Sequence, residues 1–291
     1  MKRALKGIVQ RVFESLWTIG FQALGRCLSR RPEIWSSPGG RRVLVVAPHP
    51  DDEVVGCGGA ILAHLRAGDA VRICCVTDGR ASQALGLSAD EMAHVRRAEL
   101  EVAVDQLGAE LDWLGLPEGE WRRGHLATRL GRVLLRLRPH LVYAPSRVDF
   151  HPEHERVARA LASALSDLAE EPPEIRIYPV HVPLTPILTR LVVPLSSSEP
   201  RLLAALQAHR SQLGSLERCL RHRRYTGRLY DLEAAEELWQ MSAAQYQHLH
   251  REPPQQPLVD LFRGLRYYAW SDPLAYAKGL GERRRLATLV A

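Results

Sequence analysis

Short apolar runs alternate with amphipathic stretches from about residue 42 onward, and this alternation constrains the fold more than anything else in the 291-residue chain. Val43-Leu44-Val45-Val46-Ala47 is apolar at every position, as in a strand buried on both faces of a parallel sheet. A helix over Gly58 to Ala67 ends at Gly68, a common stop residue. Val71 to Val76 reads as the second strand, and Ser88-Ala89-Asp90-Glu91 as a capping box opening a helix to Leu107. Strands are expected at Leu111 to Leu114, Leu141 to Ala144 and Ile175 to Val180, with helices at Leu126 to Leu137 and Glu155 to Leu168 between them. Crossovers of this kind build an α/β layer, Rossmann-like, with a mostly parallel sheet and helices on both faces. After Val193 the rhythm is lost; a helix starts at Glu199-Pro200, and helical or irregular elements are expected to the C-terminus.

Composition agrees with a folded globular chain: 46% hydrophobic and 25% charged residues exclude disorder, collagen and a coiled coil. The net charge is +6 and almost wholly arginine, since Lys2, Lys6 and Lys278 are the only lysines. Cys27, Cys57, Cys74, Cys75 and Cys219 form no C-x-x-C pair and read as buried apolar residues in a reducing compartment. No apolar run approaches the length of a membrane span, and Gln10, Arg11 and Glu14 interrupt any signal-peptide core, so the expectation is a cytoplasmic protein. An amphipathic helix fills residues 4 to about 28, and its stripe of Phe13, Leu16, Trp17 and Phe21 needs a cover. Burial against the protein's own C-terminal elements or in a homo-oligomer is favoured over a membrane surface, because Glu14 and a modest basic count weaken the polar face.

In an open α/β sheet, ligands bind beyond the carboxyl ends of the strands. The first strand is followed by Ala47-Pro48-His49-Pro50-Asp51-Asp52-Glu53, and the fourth by Ser146-Arg147-Val148-Asp149-Phe150-His151-Pro152-Glu153-His154. Imidazole nitrogen with carboxylate oxygen suits Zn²⁺ or another first-row divalent ion. One such loop is commonplace, but two at neighbouring strand ends favour a metal site.

These loops also carry a resemblance. His49-Pro50-Asp51-Asp52-Glu53 with Gly56-Cys57-Gly58-Gly59 resembles the signature of the PIG-L/LmbE-like N-acetylglucosaminyl deacetylases. The likeness continues through Thr77-Asp78-Gly79, Arg96-Arg97-Ala98-Glu99, His151-Pro152-Glu153-His154 and Ala208-His209-Arg210-Ser211-Gln212. It implies zinc on His49, Asp52 and His154, Asp51 as general base, and a cationic His151 that polarises the amide carbonyl and helps protonate the leaving amine. Arg96 and Glu118 match positions that hold sugar hydroxyls in relatives, and Glu53 and Glu153 stand behind the metal and His151. Glu153 and Glu118 replace the family's commoner aspartates, which puts the contacts of both in question. The implied reaction is hydrolysis of the N-acetyl or related N-acyl group of a 2-acetamido sugar or its conjugate. The implied organisation is an N-terminal helix (1–35), a deacetylase domain (41–225) and a C-terminal extension packed on it (226–291).

Other readings are weaker. Ile61 stands where a dinucleotide-binding glycine loop needs glycine or alanine. A non-catalytic carbohydrate-binding relative would be expected to have lost some of the five site residues. The basic run Arg218 to Arg224 lacks interleaved aromatics, so no nucleic-acid partner is expected. His64, His94, His125, His140 and His181 have no second ligand within sequence reach and are expected to be surface or core residues; His209 is equally consistent with the site and with packing.

Overall fold

The computed structural model describes residues 2–149, 151–168, 171–196, 199–251, 274–277 and 279–291. Its strands are β1 (Glu33–Ile34), β2 (Arg42–Ala47), β3 (Ala70–Thr77), β4 (Glu110–Leu116), β5 (Leu141–Ala144), β6 (Glu174–Ile177), β7 (Leu191–Leu195) and β8 (Ala234–Ser242). They form one sheet in the order β1-β7-β8-β6-β5-β2-β3-β4. Strands β2 to β6 pair in parallel, and β8 runs antiparallel between β6 and β7. The helices are α1 (Lys2–Arg26), α2 (Asp52–Arg66), α3 (Ala89–Leu107), α4 (Arg123–Leu137), α5 (Pro152–Ser166), α6 (Thr185–Leu188), α7 (Pro200–Ala208), α8 (Leu213–Leu229), α9 (Ala243–Arg251), α10 (Leu274–Ala277) and α11 (Leu280–Leu289).

Period-two alternation divides the core. Leu44 and Val46 of β2 with Cys74 and Val76 of β3 face the layer of α4, α5 and α9. Val43, Val45 and Ala47 with Ile73 and Cys75 face α2, α3 and α7. Both faces are covered, which is why these strands are apolar throughout. The capping box at Ser88 and Glu91 is formed, and Gly108 closes α3 in the left-handed conformation. Cys57, Cys74, Cys75 and Cys219 are buried free thiols, whereas Cys27 is exposed.

The structure differs from the sequence reading in two elements that bear on the site. Helix α2 begins at Asp52, directly after the His49 loop, and is broken at Cys57, whose φ/ψ of −149°/26° is not helical. Residues 234–242, read as part of a C-terminal extension packed on the domain, form β8 inside the sheet. The tail beyond Pro253, whose elements the sequence left unplaced, lies largely outside the described residues.

Candidate functional site

Parallel strands deliver their carboxyl ends to one edge, and four consecutive sheet neighbours supply the site there. The β2 exit carries His49 to Asp52, the β5 exit carries Asp149 to His154, and the ends of β3 and β4 bring Asp78 and Glu118. Thr77 ties these loops down, donating both its N–H (2.9 Å) and its hydroxyl (2.8 Å) to the Pro48 carbonyl. Asp78 Oδ1 then accepts from the Glu118 N–H at 3.2 Å.

Three atoms converge. His49 Nδ1 lies 3.1 Å from Asp52 Oδ2, His154 Nε2 lies 3.1 Å from the same oxygen, and the two ring nitrogens are 3.2 Å apart. Ligands about 2.0–2.1 Å from a tetrahedral ion stand about 3.3 Å from one another, so this triangle has the size of one face of such a site. Nitrogen atoms of His49, His151 and His154 also fall within 4.8 Å of one another, as do donor atoms of Asp149, His154 and His181. The triangle through Asp52 is the tighter one. On size and donor chemistry these residues fit a first-row divalent ion.

Each histidine is fixed from behind. Glu118 Oε1 is 3.2 Å from His49 Nε2, and its other oxygen accepts the Ala81 N–H at 3.1 Å. Asp149 Oδ2 is 2.5 Å from His154 Nδ1 and 3.1 Å from His181 Nδ1. Its Oδ1 accepts the N–H groups of Val180, His181 and Val182 at 3.1, 2.6 and 3.2 Å. A carboxylate on the outer nitrogen of a ligating imidazole sets its tautomer and raises its basicity. Without an ion, burial works against charge on both rings. The bonds to Asp52 and Glu118 nevertheless lift His49 to about 9, and Asp52 with Asp149 lift His154 to about 10. Burial likewise opposes ionisation of Asp52 and Asp149, but the histidines beside them hold both well below the carboxylate range. The arrangement is a cation held among carboxylates, which an ion can replace on release of protons.

Asp51 stands beside the triangle with φ 129°, a left-handed value for a non-glycine residue and so a strained one. Its N–H donates to Glu53 Oε2 at 3.1 Å, and the other Glu53 oxygen is 3.1 Å from His209 Nε2. Asp51 Oδ1 accepts from Arg96 Nη2 at 2.8 Å. Burial raises the Asp51 pKa and Arg96 pulls against it; the net direction is upward.

Several expectations need correction. Arg96 was expected on a sugar hydroxyl; its guanidinium borders the pocket but is committed to Asp51 and to the carbonyls of Pro50 and Gly79. Glu118, expected on substrate, does line the cleft, and it also holds His49. Glu153 does not orient His151 through its longer carboxylate, which accepts from the Trp121 indole and pairs with Arg156 at 2.8 Å; only its backbone N–H reaches His151 Nδ1, at 3.3 Å. Burial, then His154, His181 and His49, push the His151 pKa down to about 2, a direction opposed to the cationic ring that the resemblance implies. His181, set aside for want of a nearby ligand, stacks on His151 with centroids 4.9 Å apart and planes at 14°. His209 lies wholly buried behind Glu53. Asp149 was missed, although it sits two residues before His151 in the same loop.

A cleft of about 370 Å³ opens over these groups, lined by His49, Asp51, Asp52, His151 and His181, with Ser82, Gln212 and Arg218 among its other walls. The motifs at Glu99 and Ser211 meet behind it, with Ser211 donating from N–H and hydroxyl to the Glu99 carboxylate at 2.8 and 2.6 Å.

Residues 44–165 match the family described as PIG-L, GlcNAc-PI de-N-acetylase. The chain is 30% identical over 185 residues to a probable N-acetyl-alpha-D-glucosaminyl L-malate deacetylase 2 of Bacillus cereus, covering 59% of this chain and 84% of that relative. The N,N'-diacetylchitobiose deacetylase of Pyrococcus horikoshii superposes with a TM-score of 0.61 at 25% identity, over 71% of this chain and 85% of that one. A 4-carboxy-2-hydroxymuconate hydratase, GalB, reaches the same TM-score at 20% identity, over 69% of this chain and 96% of that one, a likeness of fold alone. With that shared length and the motifs folded into one site, the chain belongs to the PIG-L family and is an enzyme of the deacetylase class of amide hydrolases.

Proposed function

We propose that the protein hydrolyses the N-acetyl or related N-acyl group of a 2-acetamido sugar or its conjugate, with a divalent ion, most simply zinc, held by His49, Asp52 and His154. The observation that carries this reading is the triangle of His49 Nδ1, Asp52 Oδ2 and His154 Nε2, with edges of 3.1–3.2 Å, beside a carboxylate that is not part of it. The relatives named for deacetylation of N-acetylglucosaminyl compounds supply the substrate class.

Zinc at such a site lowers the pKa of water from 15.7 to roughly 7 and polarises an amide carbonyl. Asp51 is the base: Arg96 engages Oδ1, and the residue lines the cleft, where its second carboxylate oxygen would take the water proton. The same carboxyl group can return that proton to the departing amine. His151 accepts the Glu153 N–H at Nδ1, so its neutral ring carries the proton on Nε2 and donates it as a hydrogen bond to the developing oxyanion. A divalent ion bound there would take the place of the charge on His49 and His154 and would likewise disfavour the imidazolium, which makes a neutral donor the consistent role.

An acetate-release assay over a panel of N-acetylglucosamine conjugates tests the reading. Turnover that chelator abolishes and zinc restores is the expected result. No turnover on any conjugate with zinc restored would return the chain to a carbohydrate-binding relative without catalysis.

A further inference from the structure

Helix α1 is apolar on two opposite faces, and among the described residues only one of them is packed. On the inner face Phe21 is 5% exposed, stacks on Tyr225 of α8 at 5.0 Å and meets Tyr276 edge-on at 4.7 Å. Gly25 on the same face lets α1 approach the Leu229 carbonyl so closely that a side chain would collide with it. Val12, Leu16 and Ile19, at i, i+4 and i+7, point the other way and are 53, 59 and 65% exposed. Phe13 and Leu24 are exposed beside them. Leu5 and Ile8 continue that spacing toward the N-terminus.

Charge says what covers this stripe. Residues 1–31 hold seven basic side chains and a single acidic one, Glu14, and so carry the chain's entire +6; the remaining 260 residues balance to zero. Glu14 is 4.0 Å from Arg224 of α8. A second copy packed stripe to stripe would therefore set arginine and lysine against arginine and lysine, with no acidic row to answer them. An anionic lipid surface answers both the apolar stripe and the basic excess of this segment of the sequence.

We infer that the outer face of α1 docks the protein on an anionic lipid surface, lying in its interface rather than crossing it. No helix among the described residues is long and apolar enough to cross a membrane. Phe21 beside Tyr225 and Gly25 beside Leu229 set α1 and α8 in the same sense. The basic end of α1 thus leads toward the end of α8 that brings Gln212 and Arg218 to the cleft. The inference is independent of the reaction proposed above.

Sedimentation of the full chain with phosphatidylcholine vesicles, with and without phosphatidylglycerol, tests it. The protein should pellet with the anionic vesicles at low salt, stay in solution with phosphatidylcholine alone, and be released as salt rises. Leu16→Glu with Ile19→Glu, at exposed positions that leave the melting curve unchanged, should abolish pelleting. Replacing Lys2, Arg3 and Lys6 by glutamine should weaken it about fivefold per residue. Three results would overturn the inference. These are no pelleting with either vesicle, pelleting undiminished in the Leu16/Ile19 variant, and a dimer in light scattering that this variant converts to monomer.

Discussion

Asp149 is the residue that most of the site leans on, with one oxygen in three backbone N–H bonds and the other between His154 and His181. Asp149→Ala should weaken zinc binding about 10–100-fold, the usual cost of losing the carboxylate behind a ligating imidazole, measurable by competition with a chromogenic chelator. Glu118→Gln, which keeps the shape but removes the charge behind His49, should cost less, because that carboxylate is partly solvated while Asp149 is not. The proposed ligands could be singled out in the sequence because His49 and Asp52 share one loop and His154 sits in a loop of the same composition. The supporting partners were not legible. Whether Arg96 reaches a sugar or Asp51, and whether Glu118 reaches a sugar or His49, depends on loop paths that motif spacing does not encode. His181 comes to the site only because the chain leaving β6 folds back over Asp149.

At the scale of elements, the break in α2 is the feature that motif reading did not foresee. The interruption at Cys57 frees carbonyls before it and N–H groups after it. Arg223 of α8 donates to the Val54 carbonyl at 2.7 Å, and Glu236 of β8 accepts from the Gly59 and Ala60 N–H groups at 2.8 and 2.9 Å. The two side chains also pair with each other, both buried. This buried pair serves as an internal cap for a helix whose first turn holds Asp52. Glu236→Ala should destabilise the fold by about 3–5 kcal/mol, because it strands Arg223 and two N–H groups in the interior; urea unfolding checks this. Gly56→Ala should also destabilise it, since a Cβ there would overlap the Tyr178 ring, whose hydroxyl is anchored on the Val46 carbonyl at 2.7 Å. The same pair explains why β8 was hard to read. Its two adjacent glutamates look like solvent-facing residues, yet Glu236 caps α2 and Glu237 accepts from the Leu184 N–H at 2.6 Å and the Thr189 hydroxyl at 2.9 Å.

For the molecule as a whole, the parallel core was legible because strands covered on both faces are apolar throughout, whereas β1 is only two residues long and β8 carries Glu236 and Glu237 in its middle; β7 is apolar but interrupted by Pro194. Buried histidines held neutral contribute to the acid sensitivity of this core. Burial pushes His64 down to about 4 and His250 down to about 3, and both His250 nitrogens are used, Nδ1–H toward the Tyr246 carbonyl at 2.9 Å and Nε2 accepting the Arg147 N–H at 3.3 Å. Once unfolded, each ring takes up a proton below its ordinary value of 6.5. Their contribution to stability is therefore complete above that pH and is lost as pH falls toward the folded values, by up to about 1.4 kcal/mol per unit for each ring. Urea midpoints between pH 7 and pH 4 should fall accordingly, and His250→Gln should flatten the slope.

The central claim is that the Asp51 carboxylate moves a proton while His49, Asp52 and His154 hold the ion. Zinc stoichiometry and acetate release, measured side by side on Asp51→Asn and the unmodified protein, test it most directly. The account predicts one bound ion in both and acetate release lowered about 10²–10⁴-fold in the variant. Loss of the ion from Asp51→Asn, or turnover at the unmodified rate with the ion in place, would contradict it.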